Sequence, residues 1–201
     1  MTKEQYVTER YAIYNSDCME IIKDMPDDSV DLAVYSPPFA GLYNYSSSEM
    51  DFSNCEDEQQ FLQQYEFLIK EMARVTKPGR INAVHVTDVH DNTGKLGDFP
   101  GEVIRLHEKY GLHYHNRITI WKEPLKVRMR TMVQSLMHKF IVEDATKCFP
   151  AMPDYVLIFK MKGENTVPVQ HKEGLTDYDY FGDTPFLDPH KETYGNGVSP
   201  K

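Results

Sequence analysis

An α/β layered fold with a mainly parallel sheet is predicted by three features of the sequence. A buried-type run, Val30–Tyr35, stops abruptly at two consecutive prolines. A helix-spaced apolar stripe follows over residues 61–75, and further branched runs at 81–86, 113–121 and 155–161 alternate with a second helical segment. Strands alternating with amphipathic helices are the pattern of such layered folds. With 201 residues, 40% hydrophobic and 12% aromatic, the chain can bury a core of ordinary size and has no fibrous or disordered composition.

Taken in order, residues 11–14 form a short strand candidate, and Asp17 stands where a strand gives way to a helix through 18–22, which its carboxylate can cap. Residues 26–29 read as a turn, and the strand Val30–Tyr35 cannot continue through Pro37 and Pro38. Residues 40–54, rich in Gly, Tyr, Ser and Asn, read as a loop, with Ser53 or Asn54 capping the next helix. In that helix Phe61, Tyr65, Leu68, Met72 and Val75 share a face, joined by Leu62, Ile69 and Ala73. Lys77-Pro78-Gly79 is expected to close it before a strand at 81–86. Pro100 suits the first turn of a helix reaching about Tyr110, and Gly111 is its stop signal. Beyond Gly163 the periodicity disappears.

Composition excludes several classes. A formal net charge of −9 argues against a protein held to nucleic acid by bulk electrostatics. The distribution is uneven, however: from residue 116 to 140, Arg117, Lys122, Lys126, Arg128, Arg130 and Lys139 face the single acid Glu123. No apolar run is long enough to span a bilayer, and residues 1–5 lack the apolar segment of a secretory signal, so a cytoplasmic protein is expected. Cys18, Cys55 and Cys148 are odd in number and widely spaced, which fits reduced thiols rather than a disulfide framework or zinc site.

Chemistry concentrates at Ser36-Pro37-Pro38-Phe39, at the carboxyl end of a predicted strand, where ligands bind in layered α/β sheets. Asp17 and the stretch 85–90 fall at carboxyl ends too, and so are expected to converge with it. The Ser36 side-chain oxygen and the Pro37 carbonyl can each accept one N–H of an exocyclic amine, directing its lone pair at an electrophile. Proline stiffens that arrangement. Phe39 offers a face for a planar base drawn out of a duplex. On the motif alone, a strand-terminating turn with a core aromatic accounts for the same four residues.

The surrounding residues bear a family likeness. Asn15-Ser16-Asp17-Cys18-Met19-Glu20, then residues 26–39, resemble the opening of the N4-cytosine and N6-adenine DNA methyltransferases of the circularly permuted class. That opening has a Gly-Asp-Cys segment, a helix, an Asp-x-x-Ser-Val-Asp-Leu strand and Ser/Asp-Pro-Pro-Tyr/Phe; Ser16 stands here where glycine is usual. Residues 74–80 resemble the family's Leu-Lys-Pro-Gly-Gly segment, and 118–122 with 130–131 and 138–139 resemble the stretch that contacts the target base in phage-like members. The likeness runs over roughly residues 10 to 165.

The resemblance implies a partial S-adenosylmethionine-dependent methyltransferase fold, Rossmann-like, with a mainly parallel sheet and an antiparallel C-terminal strand pair. Residues 1–165 would be the target-amine half, and 166–201 an irregular extension leading to a missing cofactor-loop half. Asp17 would hydrogen-bond the adenosine end of S-adenosylmethionine, with Ser36 beside the cofactor. Ser36 and Pro37 would hold the amine, Pro38 would stiffen the turn, and Phe39 would stack the flipped base. Lys122, Lys126, Arg128, Arg130 and Lys139 would meet the phosphates of double-stranded DNA. Serine in the first position leans toward cytosine N4. The family's Phe-x-Gly-x-Gly loop has no counterpart except Gly195-Asn196-Gly197, which no strand precedes. The expectation is a truncated chain, or one that needs a second chain, inactive alone. The alternative is a non-catalytic nucleic-acid-binding module that retains the fold.

Other candidates are weaker. His85, Asp88, His90 and Asp91, or His113 with His115 on one strand face, are metal ligands by type but lack a supporting cluster, so no metal is expected. Tyr43 and Tyr45 either close over the base or tie down the loop after Phe39.

Overall fold

The computed structural model describes residues 4–38, 45–47, 51–56, 58–90, 95–123, 142–145 and 153–169. The chain divides into two compact units, Met1–Asn165 and Thr166–Lys201, and the regular elements belong to the first. They are β1 (Glu4–Val7), β2 (Ala12–Asn15), α1 (Cys18–Ile22), β3 (Val30–Tyr35), α2 (Glu58–Val75), β4 (Thr76–Thr87), β5 (Val89–His90), β6 (Leu96–Gly97), α3 (Phe99–Lys109), β7 (Leu112–Ile120) and β8 (Asp154–Met161).

The main sheet has the order β3-β4-β8-β7. β3 and β4 are parallel, and β8 runs antiparallel to both β4 and β7. Three of the four strands therefore share a direction, and the C-terminal pair is antiparallel, as the sequence implies. Among the described residues only β3 and β4 are parallel neighbours, because β8 inserts between β4 and β7.

The core lies on one face. Phe61, Tyr65, Ile69 and Ala73 recur at every fourth position of α2 and are buried, as are Phe99, Val103 and His107 at the same spacing on α3. They pack with Val84 and Val86 of β4 and Leu157 and Phe159 of β8. Each large apolar side chain removed from water there contributes about 1.5–3 kcal/mol. Asp98 caps α3, its carboxylate accepting from the Gly101 N–H at 3.1 Å, with Pro100 in the first turn. Gly111, at φ +85°, ends it as expected.

The opposite face is uncovered among the described residues. Register places Leu32 beside Ile81, Val34 beside Ala83, Ala83 beside Ile158, and Ile118 beside Val156, so one apolar surface crosses all four strands. On it Leu32 is 60% and Val34 73% exposed, far more than core side chains of a finished layered sheet. Among the described residues β3 has no strand on its other edge.

Several expectations are corrected. The strand predicted at 11–14 does not join the sheet; it is β2, and it forms a hairpin with β1, a strand the sequence reading missed. Thr8 builds that turn, its hydroxyl oxygen accepting from the N–H groups of Arg10 and Tyr11. Neither Ser53 nor Asn54 caps α2, which begins at Glu58; both belong to a single 3₁₀ turn whose cap is Asp51. Lys77-Pro78-Gly79 does not separate helix from strand, because β4 already starts at Thr76. Between the pairs Val30–Thr76 and Leu32–Ile81 the register slips, and Pro78 falls in that irregular stretch, where a missing N–H is tolerated.

Candidate active site

The carboxyl end of β3 delivers Ser36, Pro37 and Pro38 to the surface, Ser36 exposed and Pro37 buried. Beside β3 and below α1 lies a cavity of about 560 Å³ whose rim includes Ser16, Cys18, Ser36, Pro37 and Pro38. Its size falls in the range of small-molecule pockets. Its walls are largely apolar, from Ile22, Leu68 and Met72 among others. Asp17, half-buried between Ser16 and Cys18, caps α1 as predicted, its Oδ1 accepting from the Met19 N–H at 2.7 Å. Burial, followed by the adjacent Asp17 charge, pushes the Cys18 thiol up from its ordinary value, so it is a neutral rim group rather than a nucleophile.

Behind Ser36 the structure assembles a chain of polar groups. Ser36 Oγ lies 3.2 Å from His85 Nδ1 and donates to the His85 carbonyl at 3.1 Å. His85 Nε2 is 3.1 Å from Asp154 Oδ2. The Lys122 ammonium sits against the other carboxylate oxygen, Oδ1. The sequence reading brings His85 to this end of the sheet, and β4 places it beside Ser36. It did not find Asp154. The antiparallel register, which sets the first residue of β8 opposite Thr87 at the end of β4, is what brings that carboxylate in.

Beneath the motif a second polar chain runs from the half-buried Tyr35 to the buried His107. His107 Nδ1 lies 2.7 Å from the Val103 carbonyl, which can only accept, so that nitrogen carries the proton. Nε2 then accepts from the Tyr35 hydroxyl at 2.9 Å. The ring stacks on Phe159 with centroids 4.1 Å apart. Burial pulls His107 down to about 4, and it pushes the Tyr35 hydroxyl up beyond its ordinary value. Both stay neutral at physiological pH. The residue before Ser36 is thereby pinned to α3.

The remaining predicted residues divide. Phe39, Lys126, Arg128, Arg130, Lys139 and Tyr43 lie outside the described residues. Lys122 is described and engages Asp154. Trp121, next to it, is 64% exposed. Tyr45 is exposed, and its N–H donates to Ser53 Oγ at 3.0 Å. Among the described residues no three His, Cys, Asp or Glu side chains converge as a metal site. His113 and His115 are exposed beside the register shift between Tyr114 and Asn116 and line one shallow hollow with Lys160. Among the described residues no helix is long and apolar enough to cross a membrane.

No family model matches the chain. Among curated proteins it is 31% identical over 112 residues to the type II methyltransferase M.BglII of Bacillus subtilis, a match covering 56% of this chain and 29% of that protein. It is 34% identical over 77 residues to the type II methyltransferase M.BamHI of Bacillus amyloliquefaciens, covering 38% and 18% respectively. Among solved structures, a Thermus thermophilus protein assigned as a DNA modification methylase superposes with a TM-score of 0.54 at 21% identity, over 77% of this chain and 54% of that one. The cytosine-N4-specific PvuII DNA methyltransferase superposes with a TM-score of 0.52 at 16% identity, over 76% and 50%. The fold is thus a partial S-adenosylmethionine-dependent methyltransferase fold. In sequence the chain is similar, over those stretches, to two type II DNA methyltransferases. It spans about half the length of these solved neighbours and less of the curated relatives.

Proposed function

We propose that this protein is the target-amine part of a site-specific DNA methyltransferase that moves a methyl group from S-adenosylmethionine to the exocyclic amine of cytosine (N4) or adenine (N6). The observation that carries the reading is the placement of Ser36 and Pro37 at the open carboxyl end of β3, on the rim of an apolar cavity. A hydroxyl oxygen and a main-chain carbonyl held on a stiff turn can hold an amine by its two N–H groups. Most of the rate enhancement then comes from orientation. With serine rather than aspartate in the first position, cytosine N4 is the favoured target.

The cavity fits a purine-sized group, with a polar rim at Ser16 and Ser36 and apolar walls. Asp17 and Ser36 are the residues that would meet the cofactor, which supplies an electrophilic methyl on sulfur. The basic run from Lys122 through Lys126, Arg128, Arg130 and Lys139 would follow the phosphates of double-stranded DNA, and Phe39 would stack the extruded base.

The rest of the cofactor pocket would come from polypeptide that pairs with the edge of β3 that has no strand among the described residues, and covers the apolar face of Leu32, Val34 and Ile118. That is the position a continuing sheet would take, and the chain covers about half of its solved neighbours. Calorimetry with S-adenosylmethionine tests this, using the chain alone and the protein expressed from its native reading frame. Binding only by the protein expressed from its native reading frame is the expected result. Binding by neither would leave a non-catalytic nucleic-acid-binding module as the better account.

A further inference from the structure

The groups behind Ser36 have an order that constrains their protons. Asp154 carries opposing influences: burial pushes its carboxyl up, while hydrogen bonds from Lys122 and Thr87, the Lys122 charge and the bond from His85 together hold it below its ordinary 3.8. It is therefore a carboxylate near neutral pH, and a carboxylate only accepts hydrogen bonds. The His85 nitrogen it meets, Nε2 at 3.1 Å, must carry a proton. In the neutral ring Nδ1 is then a bare lone pair, 3.2 Å from Ser36 Oγ. The Ser36 hydroxyl has two acceptors behind it, His85 Nδ1 and the His85 carbonyl at 3.1 Å. Its own lone pairs are left for the exposed side.

We propose that His85 and Asp154 are positioning residues for Ser36, forming a Ser36–His85–Asp154 relay that orients the serine oxygen as an acceptor and takes up the proton an alkylated amine must lose. The inference rests on the amino-methyltransferase reading above. When the amine nitrogen bonds to the methyl carbon, the carbon–sulfur bond breaks with its electron pair going to sulfur, and the nitrogen is left with one proton too many. That N–H bond breaks with its pair staying on nitrogen, and the proton goes to Ser36 Oγ as the Ser36 hydroxyl proton passes to His85 Nδ1. The imidazolium so formed lies against the Asp154 carboxylate, and a later proton loss to water resets the relay. Lys122 keeps Asp154 ionised and in place. Of the neighbouring charges, Asp88 accepts from the Tyr155 hydroxyl and Arg117 stacks on the Tyr155 ring, so both are engaged beside the relay rather than in it.

The proton arrangement is testable without turnover. In protein expressed from its native reading frame with ¹⁵N-labelled histidine, the His85 signals are assigned by their loss in His85→Gln and read in long-range ¹H–¹⁵N spectra. The relay requires the Nε2–H tautomer in the wild type and movement of the two ring shifts toward each other in Asp154→Asn. An Nδ1–H tautomer, or a spectrum indifferent to Asp154→Asn, overturns the relay alone. For DNA methylation, His85→Gln and Asp154→Asn should each lower kcat about 100-fold, the lower reach of proton-transfer effects, with KM for DNA unchanged. Undiminished kcat in both variants also overturns the relay. A wild type that shows the required tautomer but methylates no DNA overturns the reading beneath it and the relay's chemical role together.

Discussion

Lowering the pH from 6.5 to 4 should destabilise the Met1–Asn165 unit through a single side chain, His107. The ring is fully buried, stacked on Phe159 at 4.1 Å, with Nδ1 donating to Val103 and Nε2 accepting from Tyr35. Protonation would put a charge in this apolar layer and remove the acceptor that Tyr35 uses. Burial accordingly lowers the folded value to about 4 from an ordinary 6.5, with only the Val103 bond working against it. Between those values the unfolded chain binds a proton that the folded one does not, so stability is fully present above pH 6.5 and is lost as pH falls toward 4. At about 1.4 kcal/mol per pH unit, the loss over that window is about 3 kcal/mol, a large part of a domain's stability. Asp31, Glu66 and Asp154, all held below their ordinary values, add losses only at the acid end. Urea unfolding at half-unit pH steps measures the slope. In His107→Gln, where a neutral amide can still accept from Tyr35, the slope between pH 6.5 and 4.5 should vanish although the baseline stability is lower. A flat wild-type profile, or the same slope in His107→Gln, would refute the reasoning.

Other expected outcomes follow from neighbouring contacts. Tyr35→Phe leaves the buried His107 Nε2 without its donor and should cost about 1–3 kcal/mol, lowering the melting temperature by about 2–10 °C in a scan. Gly79→Ala should destabilise by at least about 1–2 kcal/mol, because Gly79 sits at φ +73° and an added Cβ would stand 2.6 Å from the Asn165 backbone nitrogen. Restored stability in Gly79→Asn relative to Gly79→Ala would assign the loss to backbone conformation rather than to the clash.

Much of the fold is legible in the sequence because local and global signals agree. The β3 run is branched and stops at two prolines, the α2 and α3 stripes repeat every fourth residue, and Asp17 and Gly111 punctuate as their chemistry dictates. The errors arise where tertiary pairing overrides local signals. Pro78 and Gly79 look like a break, yet β4 absorbs them in a register slip against β3. The Thr8 turn carries no Gly or Asn-Gly signal, so nothing local announces β1. Around the cavity, the placement of Ser36 at the end of β3 and the capping of α1 by Asp17 are legible from motif and position. The part played by His85 is not, because its partner Asp154 approaches only through the antiparallel pairing of β4 with β8, which no local pattern encodes. By residue type alone His85 reads as a metal ligand, and no local pattern marks Lys122 as a partner of Asp154.

The central claim is that Ser36 and Pro37 hold an exocyclic amine for methylation. Its most direct test is mass spectrometry of nucleosides from DNA treated with S-adenosylmethionine and the protein expressed from its native reading frame, comparing wild type with Ser36→Ala. The wild type should give N4-methylcytosine or N6-methyladenine. Ser36→Ala should give at least about a hundredfold less, while still binding S-adenosylmethionine. Equal methylation by Ser36→Ala, or a product methylated at carbon rather than at an exocyclic nitrogen, would contradict it.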